Sequence, residues 1–144
     1  MARPFILLHD TWREKDFGQP VLTSEFPVSL MMMKPFPGSD IYSPADIPPI
    51  DILIITHDHY DHLDYGTIRD IKERVGLVIC PLGVGEHLEY RGVDKDKIQE
   101  LDWNHTTAAC TLKIEGLPTR HFSGRLFKRR NTLLNYSVWL RRVP

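Results

Sequence analysis

Residues 52–64 read ILIITHDHYDHLD, an apolar run followed by a cluster of histidines and aspartates. The first four residues are continuously apolar and mostly branched at Cβ, which is typical of a strand buried on both faces in a layered α/β structure. The polar residues come at the carboxyl end of that strand, where open α/β sheets bind their ligands. The stretch therefore predicts a buried strand followed by a ligand-binding loop.

Shorter apolar segments on both sides of this strand predict further elements. The prolines between residues 35 and 49 forbid a long helix, so residues 1–50 should hold one or two strands and a long surface loop. A helix is expected from Thr67, as its cap, to Gly76, where it ends. The other expected elements are a strand at 77–80, a helix at 85–90, and strands within 98–103, 108–117 and 132–142.

The composition is that of an ordinary globular domain, with 144 residues, 42% hydrophobic and 26% charged. No apolar stretch approaches the roughly 20 residues of a membrane-spanning helix. The N-terminus lacks the pattern of a secretory signal, so a cytoplasmic location is predicted. Cys80 and Cys110 make neither a disulfide framework nor a thiolate zinc site, and each is expected to be a small buried thiol.

Basic residues are concentrated near the end of the chain. Residues 119–142 contain seven bases and no acid, whereas the remainder has 11 bases and 19 acids. Such a segment can attract phosphate, although a solvated surface is the simpler interpretation of a charge run. The seven bases are Arg120, Arg125, Lys128, Arg129, Arg130, Arg141 and Arg142.

Three histidines and an aspartate with the spacing of metal ligands lie in the loop after the predicted strand. In an extended segment His57 and His59 point to the same side, so their imidazoles can converge on one cation. A turn toward the next helix would let Asp61 and His62 face a second cation. Imidazole and carboxylate together suit zinc, manganese, iron or nickel better than calcium or magnesium. The alternative, histidines that only solvate a helix start, requires four metal-competent side chains to gather by chance.

The motif resembles the metal-binding signature of the metallo-β-lactamase fold superfamily. With the flanking segments 48–51 and 65–67, it resembles the branch containing N-acyl-phosphatidylethanolamine-hydrolysing phospholipase D and ascorbate-6-phosphate lactonase-like proteins. Residues 80–88, CPLGVGEHL, resemble that branch's strand and turn into a helix. Residues 119–125, TRHFSGR, resemble its segment with the next metal histidine.

This resemblance implies a role for each residue that matches the motif. His57, His59 and His121 would ligate the first metal, and Asp61 and His62 the second. Asp61 would also be catalytic, orienting a metal-activated hydroxide and accepting its proton. Three histidines are the usual number for a catalytic zinc with an open position, so one firmly held divalent metal is expected, zinc first. The second metal is left open.

Neighbouring polar residues have less specific interpretations. Asp58 and Asp64 would orient imidazoles through their far nitrogens or cap the following helix, with capping at least as good an interpretation for Asp64. The remaining histidines, His9, His87 and His105, lack ligand-spaced neighbours and are expected to be structural or on the surface.

The implied fold class is α/β (α+β), a metallo-β-lactamase-like αββα sandwich. Residues 1–144 would form a single partial domain with about the N-terminal half of that sandwich, mainly its first sheet and flanking helices. Half a sandwich would leave an apolar sheet face uncovered. The chain is therefore expected either to be a truncated form of a longer enzyme or to form a homo-oligomer in which a second copy covers that face.

Two functions of different classes follow. The first is a metal-dependent hydrolase acting on a small anionic substrate, a phosphodiester or a lactone-like ester, with Arg120 and Arg125 holding the anionic group. No nucleic acid partner is expected, because the chain has neither a globally basic surface nor an aromatic stacking array. The alternative is a catalytically impaired metal-binding remnant that serves as an oligomerisation or interaction module.

Overall fold

The fold is described from a computed structural model, which covers residues 6–9, 43–59, 63–110, 112–120 and 136–143. Seven strands occur in these ranges: β1 (Ile6–His9), β2 (Ile50–Ile55), β3 (Val75–Pro81), β4 (Ile98–Leu101), β5 (Thr106–Ala109), β6 (Leu112–Arg120) and β7 (Tyr136–Val143). The helices are α1 (Tyr65–Ile71) and α2 (Gly85–Tyr90), with 3₁₀ turns at Pro44–Asp46, Lys72–Arg74 and Lys95–Lys97. Neither α-helix in the described ranges is long and apolar enough to span a membrane.

The first four strands form one parallel sheet in the order β1-β2-β3-β4. Strand β2 is interior, and its Ile52 pairs with Ile6 of β1 on one side and with Leu77 of β3 on the other. Since all four strands run in the same direction, their carboxyl ends lie along one edge of the sheet. The predicted position of the His-rich loop, at the end of a buried parallel strand, is confirmed.

From Ile52 to Ile55, the side chains of β2 alternate between two apolar layers. Leu53 and Ile55 belong to the core beneath the helices, whereas Ile52 and Ile54 belong to a second core that includes residues of β5 and β6. The helix-side core consists of Ile50, Leu53, Ile55, Leu63, Ile68, Ile71, Val75, Val78, Cys80, Val84, Leu88 and Val93. The second consists of Ile52, Ile54, Ile79, Leu101, Ala109 and Ile114. The layers are therefore helix, parallel sheet and second sheet, which agrees with the predicted sandwich class.

The second sheet corrects one expectation. Strands β5, β6 and β7 form an antiparallel sheet, and Ala109 and Ile114 pack against the parallel sheet on the face opposite the helices. The chain thus contains more than the first sheet, and its own residues cover the face that was expected to be exposed. This cover removes the physical reason given for a second copy at that face, and self-association stays a prediction.

Helix α1 begins earlier than predicted. Its N-cap is Asp64, whose Oδ2 accepts hydrogen bonds from the Thr67 amide at 2.8 Å and the Thr67 hydroxyl at 2.7 Å. The prediction of Thr67 as the cap was wrong, and the capping interpretation of Asp64 is confirmed. The predicted stop at Gly76 was also wrong, since this glycine lies in β3. A Cβ there would come within 2.9 Å of the Asp51 carbonyl oxygen, so a close approach of two strands requires the glycine.

The segment 108–117 contains a turn that the sequence did not indicate. Strand β5 ends at Ala109 and β6 begins at Leu112, with Cys110 at φ 54° in the turn between them. Cys110 is exposed, so the prediction that it is buried was wrong, whereas Cys80 is fully buried as predicted. Burial, with a smaller contribution from the negative charge of Glu100, raises the pKa of the Cys80 thiol.

The proline-rich segment before β2 is anchored by an arginine. The Arg74 guanidinium donates to the carbonyl oxygens of Pro44 and Ile47, which join this segment to the turn after α1. Ser43 and Asp46 form a capping box, and hydrogen bonds from the Ser43 hydroxyl and amide lower the pKa of the Asp46 carboxyl. The chain therefore enters the interior strand along a fixed path.

Candidate metal centre

The candidate site begins where β2 leaves the sheet. Ile55 is fully buried as the last residue of the strand, and Thr56 to His59 continue without regular structure. His57 is only 6% exposed, and its Nε2 atom is buried. Its Nδ1 lies 2.9 Å from the Thr56 hydroxyl oxygen. When Nδ1 donates to that oxygen, Nε2 carries the lone pair that a metal ion needs.

The imidazoles of His57 and His59 lie side by side. Their ring centroids are 4.7 Å apart and the ring planes are inclined by 80°. This is the arrangement expected when residues two apart in an extended segment point to the same side. Nitrogen ligands bind zinc at about 2.0–2.1 Å, so two imidazoles at this separation can share one ion. The donor type and the proximity of these two residues fit a divalent transition metal.

Two contacts fix the end of the loop that leads into α1. The Leu63 amide donates to the His59 carbonyl oxygen at 2.7 Å, and Asp64 then caps α1. Leu63 is 1% exposed and belongs to the helix-side core. Both ends of the loop are therefore fixed by buried residues.

The other predicted ligands, Asp61, His62 and His121, lie outside the described residues. Within the described ranges no group of three or more potential ligands is close enough to hold a metal ion. Of the five predicted ligands, His57 and His59 are brought together, and the ligand set as a whole stays a prediction.

Asp58 lies between the two histidines in sequence and faces helix α2. Its Oδ2 is 3.7 Å from Nε2 of His87, and the two side chains are 13% and 36% exposed, respectively. His87 was expected to be structural or on the surface, and it is a half-buried neighbour of the loop. No short-range signal identifies this pair, because its members are 29 positions apart in the sequence. His105 is exposed as predicted, while the side chain of His9 lies outside the described part of the chain.

A second residue next to α2 lies near the carboxyl end of the loop, where α1 begins. Arg91, the C-cap of α2, is 6% exposed, and its Nη1 donates to the His87 carbonyl oxygen at 2.5 Å. Its guanidinium carbon is 5.7 Å from the ring centroid of Tyr65, the first residue of α1. This is within the range of a cation–π interaction. Residues 56–64 are called the candidate metal loop below. Helix α2 and its C-cap thus lie close to both ends of this loop.

The chain is similar to several known proteins. It is 45% identical over 91 residues to an uncharacterised protein of Mycobacterium tuberculosis, covering 62% of this chain and 24% of that protein. It is 29% identical over 118 residues to N-acyl-phosphatidylethanolamine-hydrolyzing phospholipase D 1 of Caenorhabditis elegans, covering 72% of this chain and 33% of that protein. The chain thus spans about a quarter to a third of the length of these relatives.

A solved structure and a family model agree with these relatives. The crystal structure of CmlA, a diiron beta-hydroxylase from Streptomyces venezuelae, matches with a TM-score of 0.57 and 27% identity, over 74% of this chain and 21% of that chain. Residues 27–143 match the model described as the Beta-lactamase superfamily domain. The chain therefore belongs to the metallo-β-lactamase superfamily, whose members use divalent metals and are generally hydrolases or oxygenases.

Proposed function

We propose that this chain provides the metal-binding part of a hydrolase that acts on a phosphodiester or a lactone-like ester. The observation that carries the proposal is the adjacent pair of imidazoles, His57 and His59, at the carboxyl end of the interior strand β2. A bound divalent metal ion would lower the pKa of a water molecule to roughly 7 and polarise the oxygen of the ester. Family membership supports this chemistry.

The residues of the chain would have distinct tasks. His57 and His59 would hold the first metal together with His121, and Asp61 with His62 would hold a second. Thr56 would keep His57 in the tautomer that binds metal, since its hydroxyl lies at Nδ1. We further propose that Asp61 orients the attacking water and accepts its proton.

The proposed substrate class rests on one relative and on charge. The C. elegans relative is named for hydrolysing N-acyl-phosphatidylethanolamine, which contains a phosphodiester. Arg120 and Arg125 lie within four residues of His121 in sequence, and guanidinium groups bind phosphate and carboxylate through paired hydrogen bonds. A small anionic substrate is therefore the proposed class. The cytoplasmic location, the homo-oligomer and the single partial domain over residues 1–144 remain predictions.

Metal analysis of protein purified without any chelator tests the metal site. We expect stoichiometric zinc, manganese or iron, and iron is included because the structural neighbour is a diiron enzyme. His59→Ala should lose the metal, whereas His105→Ala, the same change at an exposed histidine, should retain it. Equal metal content in the two variants, or a wild-type chain that stays empty on titration with all three metals, contradicts the proposal.

Turnover distinguishes the hydrolase from the metal-binding remnant. The metal-loaded chain is assayed with bis(p-nitrophenyl) phosphate and with a panel of lactones. Hydrolysis that His59→Ala abolishes and His105→Ala preserves supports the hydrolase. Stoichiometric metal without turnover of any substrate, unchanged by added zinc, manganese or iron, favours the remnant with a role in assembly or interaction.

A further inference from the structure

The contact between Asp58 and His87 joins the candidate metal loop to a separate helix. Asp58 is the residue between His57 and His59, and its carboxylate is 13% exposed. In an extended segment, successive side chains point to opposite sides. In such a segment the Asp58 carboxylate would point away from the side on which the two imidazoles meet. Its Oδ2 lies 3.7 Å from Nε2 of His87 in α2.

From this position His87 can affect the orientation of His57 and His59, the neighbours of Asp58 in the sequence. The chain between Ile55 and Tyr65 has neither helix nor strand in its described residues, so side-chain contacts have a large part in fixing its path. A shift of Asp58 would rotate the peptide units on each side of it, and these carry the two candidate ligands. Holding Asp58 in place therefore holds the relative orientation of His57 and His59.

The position of His87 is itself well defined. Leu88, the next residue, is fully buried in the helix-side core. The carbonyl oxygen of His87 accepts a hydrogen bond from Arg91, whose guanidinium lies over the Tyr65 ring. The backbone that carries the His87 imidazole is thus anchored to the core and lies next to the start of α1, immediately beyond the loop.

We propose that His87 is a positioning residue for the metal loop and acts through Asp58 without touching the metal. The inference rests on the proposed function, because it assigns His87 a part in the metal affinity of that site. Groups beyond the ligands typically change metal affinity by about 10- to 100-fold when they are removed. Since His87 acts through a further residue, we expect the lower end of this range.

The test is the affinity of the full chain for Zn²⁺, measured by competition with a chromophoric chelator. His87→Ala should weaken binding by about tenfold. His87→Gln, whose amide can donate a hydrogen bond to the Asp58 carboxylate, should restore most of the affinity. In an Asp58→Ala background, His87→Ala should have no further effect. The matched control is His105→Ala, which should bind Zn²⁺ like the wild type.

A second readout separates positioning from a general loss of structure. Unfolding by urea in the presence of EDTA measures the stability of each variant without metal, and the visible spectrum of the Co²⁺-loaded chain reports the geometry of the site. An altered Co²⁺ spectrum in His87→Ala that His87→Gln restores supports the proposal. Unchanged Zn²⁺ affinity in His87→Ala, or a loss that follows stability in EDTA and is not restored by glutamine, overturns it and leaves the proposed function intact. A wild-type chain that binds no metal overturns both.

Discussion

Replacing Asp64 by alanine tests whether this cap fixes the start of α1. The Oδ2 atom of Asp64 accepts from both the amide and the hydroxyl of Thr67, and both residues are buried. Loss of an N-cap hydrogen bond costs about 1 kcal/mol, and loss of a second bond to a buried hydroxyl adds about 1 kcal/mol. Asp64→Ala should therefore lower the free energy of unfolding by about 2 kcal/mol.

Urea unfolding followed by far-ultraviolet circular dichroism, with EDTA present, measures this difference without any contribution from metal binding. Asp64→Asn should lose less, because asparagine caps a helix about as well as aspartate. Asp94→Ala is the matched control, since Asp94 also precedes a helical turn but makes no capping hydrogen bond, and its side chain is 75% exposed. If Asp64→Ala and Asp94→Ala change the free energy of unfolding equally, the capping argument is wrong.

Two further predictions concern the interior of the parallel sheet. Burial raises the pKa of the Cys80 thiol and keeps it protonated at pH 8. Iodoacetamide should therefore modify the exposed Cys110 in the folded chain and reach Cys80 only in urea. Equal labelling of both cysteines in native buffer would contradict this. Gly76→Ala should destabilise the chain by about 1–3 kcal/mol in the same urea assay, because the new methyl group would meet the Asp51 carbonyl oxygen of β2 at 2.9 Å. Unchanged stability would show that the two strands can separate at little cost.

The sequence predicts those parts of the fold whose signals are local. The apolar run before the histidines identifies β2, and the helix expected at residues 85–90 has the bounds of α2. The cap of α1 was misassigned because Asp64 and Thr67 are both good capping residues, and only the path of the loop decides which one accepts the hydrogen bond. The turn at Cys110 has no signal, since cysteine rarely adopts a positive φ.

The candidate site divides in the same way. The spacing of His57 and His59 is enough to predict that their imidazoles meet, because strand geometry alternates side chains between two sides. The approach of His87 to Asp58 depends on how α2 packs against the end of β2, and no pattern within either segment encodes that packing. The proximity of His57 and His59 could therefore be predicted from the sequence, but not the position of α2 beside them.

The interior position of β2 has a consequence for the thermodynamics of metal capture. Both of its neighbours are hydrogen-bonded strands, so local opening that begins at an edge of the sheet reaches β2 only after a neighbouring strand has separated. The two imidazoles directly behind it are consequently held near each other before any ion arrives. A preorganised pair loses little conformational entropy when it coordinates, so more of the coordination energy is retained as affinity.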